Sequence, residues 1–153
     1  MADEATIQKS AAATFIDQLI GTYRELNLRV RPLQDATLTK AHGSTSVRQI
    51  VQEMRDHELA FAQGLKERTT TFAPIEGGAE PTITGMESDA DSTAMLISQF
   101  GTARGTTLSI LKALPADAWQ TSTEEGARLN QEVQGLVAQD KDAIDRILSL
   151  LDS

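Results

Sequence analysis

The stretch Ser46-Val47-Arg48-Gln49-Ile50-Val51-Gln52-Glu53-Met54-Arg55-Asp56-His57-Glu58-Leu59-Ala60-Phe61-Ala62-Gln63-Gly64-Leu65 decides the fold class. Val47, Ile50, Val51, Met54, Phe61 and Leu65 recur every three or four residues, which lines them along one face of an α-helix. Ser46 followed by Gln49 has capping-box spacing: the serine oxygen can accept from a first-turn N–H while the glutamine reaches back. The helix is expected to begin there and to end near residue 67.

Three more segments repeat the pattern. Before this helix, Phe15, Leu19, Tyr23, Leu26 and Val30 predict a first helix over residues 10–31, stopped by Pro32. Residues 33–44 read as a connection with one short helical turn. After it, residues 68–90 carry Pro74, Gly77, Gly78 and Pro81 and read as a long connection, either a plain crossover between distant bundle ends, a lid over a pocket mouth, or a disordered stretch. A third helix is expected over residues 91–114, with Leu96, Ile97, Phe100, Ala103, Leu108, Leu111 and Leu114 inward and Pro115 ending it. Residues 115–119 form a turn, and Ser122 followed by Glu125 offers a second capping box. The fourth helix is expected over residues 123–151, with Leu129, Val133, Leu136, Val137, Ile144, Ile147 and Leu151 inward. The economical architecture is an all-α four-helix bundle with a long crossover between helices two and three.

Composition narrows the function classes. A chain of 153 residues suits a single domain. No cysteine is present, which excludes disulfides, thiolate metal ligands and a cysteine nucleophile, and fits a cytoplasmic location. No signal peptide or membrane-spanning run is visible. The net charge of -8 argues against nucleic acid and anionic membranes, since Arg24, Arg29 and Arg31 form no continuous basic stripe. Phosphate-binding glycine loops and nucleophile elbows are absent from the sequence.

Several charged residues fall on the apolar faces. With about 100° of turn per residue, Glu58 lies near the centre of the second stripe and Asp140 near the centre of the fourth. Arg104 sits close to the third stripe, Tyr23 is central on the first, and His57 lies at a stripe edge. A buried unpaired carboxylate is too costly to keep, and the planar fork of an arginine can accept two. A buried or half-buried cluster of Glu58, Arg104 and Asp140 is therefore expected, with His57 or Tyr23 alongside. It could be an ion-pair network that fixes helix register, or the polar floor of a ligand pocket. Glu53 and His57, spaced i, i+4, could also share a metal ion.

The segment 46–58 resembles the second-helix motif of the DinB-like superfamily, which runs Ser-Val-Arg, apolar residues, then His and a carboxylate. Phe100, Arg104, Leu108, Leu111 and Leu114-Pro115-Ala116-Asp117-Ala118-Trp119 look like its third helix and following turn. The resemblance implies a four-helix bundle, often dimeric, with a long connection between helices two and three. Many members hold a divalent metal such as zinc, nickel or manganese, through one residue of helix two and an i, i+4 pair on helix four. Several are thiol-dependent transferases or isomerases, and others are called metal-dependent hydrolases. Carried over by position, the ligands fall on Glu53, Gln139 and Ala143, of which alanine offers no donor. The tryptophan that precedes Ser-Val in the motif is missing too. Three functions follow as expectations. The first is a bundle with a decayed metal site that binds a small molecule or partner. The second is a metal enzyme with a ligand set shifted to Glu53, His57 and Asp140. The third is a homodimeric interaction module with Leu28, Leu59, Met95 and Ile110 on its outer faces.

Overall fold

The computed structural model describes residues 4–69 and 92–152, with side chains for 12–68 and 92–152. Four long helices form a bundle: α1 (Glu4–Glu25, prolonged by a π-helical turn Leu26–Val30), α3 (Val47–Thr69), α4 (Thr93–Ala113) and α5 (Glu124–Leu151). A short α2 (Asp35–Thr39) lies between the first two, and a 3₁₀ turn (Ala116–Trp119) precedes α5. Among the described residues no helix is long and apolar enough to cross a membrane.

Local chemistry fixes most helix ends. The N–H of Gln49 donates to Ser46 Oγ at 3.1 Å, which caps α3 as its spacing suggests. Ser92 caps α4 in the same way by accepting from the N–H of Met95. The cap of α5 differs from expectation: it is Thr123, whose oxygen accepts from the N–H of Gly126 at 3.0 Å, and not Ser122. α1 begins at Glu4, earlier than residue 10. Its last turn widens beside Pro32, with the N–H of Arg31 donating to the carbonyl of Leu26. Arg31 then stitches this end of α1 to α4, reaching Ser98 Oγ at 3.0 Å.

Side-chain pairs give the helix directions. Arg55 meets Gln99 and Glu58 meets Arg104, so α3 and α4 run parallel. Arg68 meets Glu132 and Glu53 meets Arg146, so α5 runs antiparallel to α3. Arg31 meets Ser98 while Leu19 meets Arg104, so α1 runs antiparallel to α4. The order is up-down-down-up, and the link from α3 to α4 must join opposite ends of the bundle. That crossover, with the lid and disorder readings attached to it, falls within 70–91, outside the described residues.

The core has two apolar halves. One gathers Leu26, Val30, Val47, Ile50, Val51, Leu96, Ile97, Phe100 and Ile147. The other gathers Leu19, Leu65, Leu111, Leu114, Trp119, Leu129, Val133 and Leu136. Ile110, expected on an outer face, belongs to the second half and is 4% exposed, whereas Leu28 and Met95 do face solvent. Leu59 is half-buried. Between the two halves, on every long helix, the buried residues turn polar: Thr22, Glu58, Arg104 and Asp140.

Candidate functional site

Arg104 is the hub of this polar layer. Its Nε and Nη2 donate to the two oxygens of Glu58 at 2.9 and 2.8 Å. Its Nη1 and Nη2 donate to the two oxygens of Asp140 at 2.8 and 2.9 Å. The remaining N–H of Nη1 goes to the carbonyl of Leu19 at 2.9 Å, so all five guanidinium donors are used. Phe100, one turn earlier on α4, lies under the guanidinium with its ring centre 4.8 Å from Cζ. Thr22 Oγ1 adds a bond to Asp140 Oδ2 at 2.6 Å. One arginine on α4 thus ties together α1, α3 and α5.

Burial disfavours the Arg104 charge, but the hydrogen bonds to Asp140 and Glu58 and their charges outweigh it, and its pKa is held above the ordinary value. The cluster has two formal carboxylate charges against one guanidinium. Breaking such a pair by removing one partner is costly, because the other charge stays buried.

The structure brings Glu58, Arg104 and Asp140 together, with Tyr23 and His57 beside the layer. Tyr23 is half-buried, tilted against Phe100 at 6.3 Å, and the hydroxyl that reaches the carboxylates is that of Thr22, one residue earlier. His57 is exposed and stacks on Phe61. Thr22 was visible in principle, since Leu19, Thr22 and Leu26 have the three-and-four spacing of a seam. Buried Arg55, which donates to Gln99 Oε1 at 2.9 Å, also keeps seam spacing with Val51, Glu58, Ala62 and Leu65.

A cleft opens beside the layer, between α3 and α5. Glu53, Met54, His57 and Glu58 line it from one side, and Gln139, Asp140, Asp142, Ala143 and Arg146 from the other. Its volume is about 100 Å³. At the rim, Arg146 Nη1 lies 3.9 Å from Glu53 Oε2. Both partners are about half exposed, so this pair adds little stability. The three positions that the family resemblance assigns to metal, Glu53, Gln139 and Ala143, all face this cleft.

Their chemistry does not fit a metal. Ala143 is a buried methyl packed in the core, and Gln139 offers a neutral amide. The oxygens of Glu58 and Asp140 are held by Arg104 and Thr22. Among the described residues no three His, Cys, Asp or Glu side chains converge closely enough to hold an ion.

A larger concavity of about 610 Å³ lies at the other end of the bundle, between Leu65, Leu114, Ala118 and Leu129. Its two arginines, Arg68 and Arg128, both turn to Glu132 and not inward. Among the described residues, the buried Glu58 and Asp140 line the smaller cleft, which is therefore the stronger candidate. In comparisons with known proteins, no family model, no curated protein and no solved structure matches this chain.

Proposed function

We propose that this chain is a DinB-like bundle that binds a small, positively charged molecule, or the cationic tip of a larger one, in the cleft between α3 and α5. The observation that carries this reading is the make-up of the cleft. Its floor is Glu58 and Asp140, whose formal charge exceeds that of the one arginine behind them. Glu53 and Asp142 add carboxylates at the walls, with Arg146 as the lining cation. A volume of about 100 Å³ suits an ammonium or guanidinium group with a water or two, each water claiming roughly 30 Å³. The family resemblance supports the bundle as a frame for such a cleft.

The metal-enzyme alternative needs Asp140 as a ligand. That would require Asp140 to leave Arg104 and Thr22, breaking two of the five hydrogen bonds of a buried guanidinium. Ligand binding leaves the polar layer intact and is the simpler use of the same residues.

Amide chemical-shift mapping with small alkylamines and matched carboxylates tests the proposal. Amines are expected to move the amides of His57 and Gln139, and carboxylates are not. The double variant Glu53→Gln/Asp142→Asn, which leaves the ionic layer untouched, should abolish the response. Equal responses to both classes, or shifts confined to the opposite end of the bundle, would refute it.

A further inference from the structure

Glu58 and Asp140 are 1% and 7% exposed, and both line the cleft between α3 and α5. An ionised carboxylate offers about four acceptor positions, shared equally between its oxygens. Glu58 uses two of them on Arg104, one on each oxygen. Asp140 uses three, two on Arg104 and one on Thr22, so that Oδ2 is filled and Oδ1 is half used. About three acceptor positions therefore remain on Glu58 Oε1, Glu58 Oε2 and Asp140 Oδ1, and no donor among the described residues meets them. A buried acceptor without a donor is costly, more so on a charged group.

The filled positions decide which donor suits the rest. Arg104 lies on the fork of each carboxylate, with Nε and Nη2 on Glu58 and Nη1 and Nη2 on Asp140. A guanidinium binds a carboxylate best through that same two-oxygen fork. A second guanidinium would find both forks taken and would meet single oxygens with its planar donors poorly used. An ammonium is compact, and its three donors point in different directions, which suits single lone pairs. A quaternary ammonium has no N–H to donate and is best recognised by aromatic faces. His57 is the single aromatic side chain among the described residues that line the cleft. We infer that the cleft selects a primary ammonium, held by the remaining lone pairs of Glu58 and Asp140, over a guanidinium or a quaternary ammonium of equal charge.

The inference rests on the reading of the cleft as a cation site and narrows it to one chemical class. The test is titration of the full native chain, near neutral pH, with the chlorides of tert-butylammonium, tetramethylammonium and methylguanidinium. These probes match in charge and in number of non-hydrogen atoms, and differ in the number and layout of their N–H donors. Amide shifts of His57 and Gln139 give the affinities. The side-chain Nε–H of Arg104, which donates to Glu58 Oε2, reports whether the buried carboxylates are engaged. Tert-butylammonium is expected to bind about tenfold more tightly than either other cation, the scale set by leaving buried acceptors unmet, and to shift the Arg104 Nε–H resonance. Tetramethylammonium should leave that resonance in place. Equal affinities for the three cations overturn the inference and leave the cation site standing. So does tert-butylammonium binding that moves His57 and Gln139 but not Arg104 Nε–H, because the cation is then held by Glu53 and Asp142 at the walls. No response to any of the three sinks the cation reading and this inference with it.

Discussion

Both side-chain oxygens of Glu58 accept from Arg104, Oε2 from Nε and Oε1 from Nη2, in a fork-on-fork pair between α3 and α4. Each side chain is 1% exposed, so the pair feels almost none of the screening that weakens surface ion pairs. Arg104→Met is expected to destabilise the fold by about 3–5 kcal/mol, because two carboxylates stay buried without their partner. Replacing the cluster together, as Glu58→Leu/Arg104→Met/Asp140→Leu, should return stability to within about 1 kcal/mol of the native chain or above it. Urea titrations of the two variants decide the matter. An Arg104→Met chain as stable as the native one would show that the layer is not energetically coupled.

The same pair sets an expectation for pH. The folded-state pKa of Arg104 is raised, so its contribution is fully present below the unfolded pKa and is lost only as pH climbs through the folded one. Both values lie in the guanidinium range, far above neutral pH. The stability advantage of the native chain over Arg104→Met should therefore not shrink between about pH 7 and 10. Unfolding titrations at three pH values across that window test it, and an advantage that decays with rising pH would contradict it.

Much of this arrangement is legible in the sequence, for a physical reason. Glu58, Arg104 and Asp140 each interrupt an apolar stripe, and a charge at a seam position demands a partner. Helix number and class follow from the same periodicity. What periodicity does not encode is azimuth to within one residue. Tyr23 and Thr22 differ by about 100°, and the choice between them depends on how α1 rotates against α4 and α5. Ile110 is hidden for the same reason: it lies beyond the edge of a narrow stripe, yet α4 is covered on more than one side. The Leu19 carbonyl, a backbone acceptor, leaves no sequence trace at all.

Tyr23 also decides what α4 can carry at position 101. A methyl group on Gly101 would overlap Tyr23 Cζ, so the ring would have to move. Helix propensity alone favours alanine over glycine by up to about 1 kcal/mol. At Gly105, where nothing lies within 4 Å and the site is exposed, that preference should win and Gly105→Ala should stabilise. At Gly101 the crowding should win, and Gly101→Ala should destabilise by about 1–3 kcal/mol. Trimming the ring in Gly101→Ala/Tyr23→Ala should remove the clash, making the combined loss smaller than the sum of the two single losses. Thermal melts of the four variants give the answer, and additive losses would show that the ring is not the obstacle.

The start of α5 offers the sharpest contrast between neighbouring residues. Thr123 accepts from the N–H of Gly126 and donates to the carbonyl of Gln120 at 2.9 Å, so it both caps the helix and fastens the preceding turn. That turn carries buried Trp119, whose carbonyl accepts from Asn130 Nδ2 at 2.7 Å. Thr123→Ala should cost about 0.5–2 kcal/mol, the usual range for a lost cap, and Thr123→Ser should restore most of it. Ser122→Ala, one residue earlier and exposed, should stay within about 0.5 kcal/mol of the native chain. Trp119 is the single tryptophan, so its fluorescence reports on this corner alone. A loosened turn lets water reach the indole, and Thr123→Ala should red-shift the emission of the folded protein while Ser122→Ala leaves it unchanged. Equal effects at the two positions would mean that the cap is shared between them.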